Sequence, residues 1–140
     1  VTDLTLILRK LATLREHLER LRRRRPATPE ALRDDVDLQD AIAMSLLVCV
    51  QTALDVAVHH AADAGLGLPG TYAESFRLLG EHGVISASTA DAMARMAVLR
   101  NRIAHGYSSV DLARIWTELP GGLQAFDEFA AGVAGRLGEG

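Results

Sequence analysis

Leu4, Ile7, Leu8, Leu11, Leu14, Leu18 and Leu21 recur at spacings of three and four, the pattern of an amphipathic helix that stops before Pro26. Thr28-Pro29-Glu30 is a restart signal, with a capping threonine and a proline at the first helical position. Asp34, Asp35, Asp37 and Asp40 precede the most apolar stretch, residues 42–58. Acids suit the positive end of a helix dipole, so this cluster reads as an N-terminus first and as a metal site a poor second. The central helix is expected to reach about Gly65, where a loop runs through Gly65-Leu66-Gly67-Leu68-Pro69-Gly70. Thr71-Tyr72-Ala73-Glu74 matches a capping box and opens a short helix through Leu79, which His82-Gly83 ends. Ser86 or Ser88 caps the next helix, carrying Met93, Met96, Leu99 and Ile103 into His105-Gly106-Tyr107. Asp111 can cap a further helix through Leu119. Pro120-Gly121-Gly122 then either kinks it or separates it from a last amphipathic stretch with Leu123, Phe126, Phe129 and Val133. No strand-like alternation and no internal repeat interrupts this pattern. The expected fold is all-α, an up-and-down bundle of about four main helices with short ones between, in one domain over residues 1–140.

Composition agrees with a helical core: hydrophobic residues are 49% of the 140, charged residues 24% and aromatics only 4%. Cys49, the single cysteine, excludes an intramolecular disulfide and reads as a small buried hydrophobe. With no apolar leader, and with Asp55, His59 and His60 interrupting the longest apolar runs, no membrane span is expected and the cytoplasm is the default compartment. The net charge of −3 conceals an asymmetry, since residues 1–33 carry +5 and the remainder −8. That balance excludes a wholly basic nucleic-acid binder but leaves room for a local basic patch. Arg22-Arg23-Arg24-Arg25 is such a run, read first as a solvated helix end and second as a contact for RNA phosphate or a protein partner.

Candidate chemistry is concentrated in Arg100-Asn101-Arg102-Ile103-Ala104-His105-Gly106-Tyr107. Arginine is a permanent cation whose rigid fork grips phosphate oxygens, and histidine gives or takes a proton near neutral pH. Metal-free RNA cleavage needs both: a base for the 2′-hydroxyl and positive charge for the crowded phosphate that follows. On a helix Arg100 and His105 lie about 140° apart, whereas Asn101 and His105 are i, i+4 neighbours. Either the helix ends before His105, or a symmetric partner supplies the missing group. Residue types alone also allow an ordinary helix end, with His and Arg favouring the dipole and Gly terminating.

Arg100-x4-His105 resembles the defining motif of the HEPN superfamily, and Arg100-Asn101-x3-His105-x-Tyr107 the narrower pattern of HepT-type toxins. The likeness spans most of the chain, because the two long helices, the Gly-Leu-x-Leu-Pro loop, the motif helix and Val110-Asp111-Leu112 follow the family's order. Pro120-Gly121-Gly122 departs from a commonly smoother last helix. The resemblance implies a homodimer whose two motifs face each other across a cleft and cut RNA without metal or cofactor. Arg100 and His105 would be catalytic, with Asn101 and Arg102 in support. It further implies a cognate minimal nucleotidyltransferase antitoxin that attaches AMP to Tyr107. The rival is a non-catalytic HEPN-like module that only binds or dimerises beside a nucleotidyltransferase.

Outside the motif, His59 and His60 point about 100° apart, too divergent for one metal, and read as helix surface facing a loop. His17 and His82 have no ligand pattern near them, and Trp116 and Phe126 read as core. Residues 1–140 contain no Gly-rich phosphate loop, zinc-type Cys/His set or Ser/His/Asp arrangement.

Overall fold

A computed structural model describes residues 4–105 and 112–137. Its helices are α1 (Leu4–Arg24), α2 (Pro29–Arg33), α3 (Val36–Asp63), α4 (Tyr72–Glu81), α5 (Ala87–His105) and α6 (Leu112–Leu137). Four are long and two short, as the spacing of apolar residues predicts. Asp111, the expected cap of α6, and Tyr107 lie outside the described residues.

The predicted caps form. Thr28 Oγ1 accepts from the Ala31 amide at 3.2 Å, Asp35 Oδ1 from Leu38 at 3.0 Å, and Ser86 Oγ from Thr89 at 3.1 Å. Each satisfies an amide that the first helical turn leaves without a partner. At α4, Thr71 Oγ1 accepts from Glu74 N, while the Glu74 carboxylate reaches one residue further back, to Gly70 N at 2.8 Å. Asp35 is therefore a cap, as the first reading of the aspartate cluster has it.

On α1 the buried side chains are Ile7, Leu11, Leu14, Leu18 and Leu21, while Leu4 and Leu8 are exposed. This stripe packs on α3, which also touches α2, α4, α5 and α6. A helix touched on so many sides must be apolar nearly all round, and α3 is long and apolar enough by composition to cross a bilayer. The expectation that no stretch approaches this is corrected by the run from Val36 to Asp63. Most of its apolar window is buried inside the bundle. Buried residues of all six helices form one contiguous core.

Two close approaches fix how α6 lies. A Cβ at Gly132 would stand 2.5 Å from the Val84 carbonyl oxygen, so only glycine lets α6 cross the α4–α5 turn there. The second settles the Pro120 question. Helix α6 is continuous through Pro120 rather than split in two. Proline has no amide to offer the carbonyl four residues earlier, so the Trp116 carbonyl is freed. Arg25 takes its place: Nε and Nη2 donate to Trp116 O at 3.1 and 2.9 Å, and the guanidinium sits 4.1 Å from the centroid of the Trp116 ring. Trp116 Nε1 closes the circuit by donating to Pro26 O at 2.8 Å. Removing both donors while keeping an apolar stem, as in Arg25→Met, should cost about 1–3 kcal/mol in urea unfolding. A variant as stable as the wild type would show that the carbonyl needs no cap.

Candidate nucleolytic site on the fifth helix

Leu99 and Ile103 are buried and pin the last turns of α5 to the core. The motif residues between them therefore have fixed directions. Helix α5 runs unbroken through His105, so the alternative of a helix ending before His105 does not hold. Arg100 and His105 leave the helix about 140° apart, and one chain does not bring them together.

Arg100 is half-buried and its surroundings are specific. Nη1 donates to Asn101 Oδ1 at 3.2 Å, and Cζ lies 5.4 Å from the centroid of the Tyr72 ring. That distance is within reach of a cation–π attraction. Nε is buried and has no hydrogen-bond partner among the described residues. A desolvated N–H left unpaired is costly, so Arg100 is poised for an acceptor that an anion would supply. Helical spacing puts Asn101 beside His105; its observed hydrogen bond is to Arg100 instead. Tyr72 is legible in the sequence only as the first residue of a helix, and nothing in the spacing pairs it with Arg100. Tyr72, 43% exposed, also lines a cavity of about 410 Å³ with Val58, Leu68 and Pro69.

His105 and Arg102 are exposed and lie on the other side of the helix. Of the N-terminal arginine run, Arg22 pairs with Asp127 of α6 and Arg25 is committed to Trp116. Arg23 and Arg24 are exposed at the end of α1. Trp116 is itself half-buried against the core rather than wholly within it.

The remaining candidates are structural. His59 is exposed but His60 is buried, which corrects the expectation of two surface histidines. Their 100° divergence, roughly that of any adjacent helical pair, sends one ring out and the other in. Burial, with Arg136 nearby, lowers the His60 pKa; burial, with Arg20 nearby, does the same at His17, whose Nδ1 stands 3.5 Å from Ser45 Oγ. Burial pushes the Cys49 thiol up to about 12, so it is no nucleophile at neutral pH. Among the described residues no three His, Cys, Asp or Glu side chains are grouped to hold a metal ion.

Known proteins place this geometry in context. The chain is 27% identical to the mRNA nuclease HepT of Shewanella oneidensis over 124 residues, 89% of this chain and 92% of that one. The tri-AMPylated Shewanella oneidensis HEPN toxin, solved in complex with its MNT antitoxin, superposes with a TM-score of 0.85 at 25% identity. That match covers 96% of this chain and 99% of the toxin. The cytosolic protein YutE of Bacillus subtilis shares the fold, with a TM-score of 0.84 at 14% identity over 97% of this chain and 91% of its own. The family model described as ribonuclease HepT-like matches residues 14–133, nearly the whole helical bundle, and the chain belongs to that HEPN family.

Proposed function

We propose that this protein is a metal-independent endoribonuclease toxin, active as a homodimer in the cytoplasm and paired with a minimal nucleotidyltransferase antitoxin. Arg100 carries the reading: a permanent cation whose buried N–H has no partner among the described residues, held by Asn101 and Tyr72 and five residues before an exposed imidazole. A phosphate oxygen is the acceptor that would satisfy it. The divergence of Arg100 and His105 supports the dimer, because a two-fold axis can set one chain's arginine opposite the other's histidine.

In this scheme one His105 takes the 2′-hydroxyl proton and the 2′-oxygen forms a bond to phosphorus. The bond from phosphorus to the 5′-oxygen breaks, and that oxygen takes its proton from water. Arg100 stabilises the charge that gathers on the phosphoryl oxygens between these events. Asn101 keeps Arg100 in place, while Arg102, with Arg23 and Arg24 further off, attracts the RNA backbone. The products are a 2′,3′-cyclic phosphate and a free 5′-hydroxyl. Cleavage of RNA in EDTA with cyclic phosphate ends is the expected result. Activity lost in EDTA and restored by Mg²⁺ would overturn the metal-free scheme, and no cleavage under any condition would favour a binding module.

Regulation follows from Tyr107, two residues past His105. AMP attached to its phenol would bring bulk and negative charge beside the motif cations and so compete with RNA phosphate. After co-expression with the nucleotidyltransferase, intact mass should rise by one or more AMP units on the wild type and by none on Tyr107→Phe. AMP on another residue would remove Tyr107 from the switch.

A further inference from the structure

Three helices contribute arginines to a second groove, in whose lining Tyr72 has no part. Arg77 of α4, Arg95 and Arg102 of α5 and Arg114 of α6 line it, together with Val98 and Leu99. Glu118, the one carboxylate among its described lining residues, holds Arg114 Nε at 3.1 Å. Among the described lining residues four arginines thus stand with one acid, in a chain whose net charge is −3. Such a concentration of one sign against the overall balance marks a place for an anion.

Helix geometry connects this groove to the motif. Arg95, Val98, Arg102 and His105 follow one another at i, i+3, i+7 and i+10, so they form a single stripe along α5. Arg102 lies about 60° from His105 and about 160° from Arg100. The two motif cations therefore serve opposite sides of the helix. Arg100 faces Tyr72, and Arg102 continues a line of arginines that ends at the imidazole. Val98 is 46% exposed and offers apolar surface between the charges.

We infer that this groove holds the phosphodiester backbone of a single RNA strand, next to the scissile bond on the His105 side. The inference rests on the ribonuclease reading and deepens it by naming Arg77 and Arg95 as RNA-binding residues outside the motif. Both are exposed and stand on rigid helices, so their charge can be removed without opening the core.

The test uses the full chain carrying His105→Ala, so that RNA is bound and not cut, and a single-stranded RNA of about 12 nucleotides. Arg77→Gln with Arg95→Gln should weaken binding on the order of tenfold at low salt. The slope of log affinity against log salt should become shallower by about 1.4, roughly 0.7 for each phosphate that is no longer neutralised. Arg77→Lys with Arg95→Lys should keep most of the slope, because charge rather than fork geometry sets it. A Gln variant with wild-type affinity and slope would overturn the groove while leaving the ribonuclease reading intact. So would a Gln variant that binds RNA normally but no longer binds the nucleotidyltransferase, since the surface would then serve a protein. If the wild type neither binds nor cleaves RNA, the ribonuclease reading itself falls, and the groove with it.

Discussion

Alanine at His105 or at Arg100 is expected to lower RNA cleavage by about 10²–10⁴-fold, with helicity and assembly unchanged. His105 is exposed at the end of α5, so its removal opens no cavity. Arg100 is half-buried, and its truncation leaves Tyr72 and Asn101 without their guanidinium partner, yet Leu99 and Ile103 still anchor the helix. Circular dichroism and sedimentation check the fold, and a gel or fluorescent-RNA assay checks the rate. Mixing the two inactive proteins extends the experiment. If each site takes Arg100 from one chain and His105 from the other, a heterodimer holds one intact site and one doubly defective site. Random exchange would then restore about a quarter of the wild-type rate. A mixture as inactive as its components would show that each chain carries a whole site, and an active His105→Ala protein would remove the imidazole from the chemistry.

The largest expected effect on stability lies at Phe129. It is fully buried in α6 and meets Phe76 of α4 edge to face, with ring centroids 5.6 Å apart and planes at 88°. Phe129→Ala should cost about 3–5 kcal/mol, from lost burial and from the cavity left behind. Total stabilities are commonly only about 5–15 kcal/mol, so this substitution alone should move the urea midpoint far downward. Phe129→Leu should recover much of the difference. A change below about 1 kcal/mol in the alanine variant would mean that α6 repacks freely over α4. The site shares in the outcome, because Phe76 and Tyr72 stand on the same short helix and Tyr72 faces Arg100.

What can be read from the sequence is local. Helix periodicity locates four long elements, and Thr28, Asp35, Thr71 and Ser86 act within three residues of themselves, so their roles follow from short spacing. The motif is legible for the same reason, as eight consecutive residues with complementary chemistry. What escapes depends on distant partners. The continuity of α6 through Pro120 relies on Arg25, which is 91 residues from Trp116. The aromatic partner of Arg100 stands on a different helix and looks in the sequence like nothing more than a helix start. His60 is misplaced by sequence reasoning because α3 is apolar on nearly every side, which erases the periodicity that tells inward from outward. The arginine groove is spread over three helices, with no run of charge to mark it.

The bond from Arg25 to Trp116 also has a consequence for the order in which the protein is made. Synthesis delivers α1 and α3 first, and their mutual packing can begin while the ribosome is still translating the motif helix. The capping of the Trp116 carbonyl must wait for the first turns of α6, and the burial of Phe76 by Phe129 for most of it. These late pairings join residues far apart along the chain, and so come with the high loop-closure cost of non-local structure. A nascent chain halted after His105 would carry the complete Arg100-to-His105 segment without α6, which packs on α5. The bundle is sealed by its final helix, so the segment from Arg100 to His105 is made before the fold that holds it is complete in every round of translation.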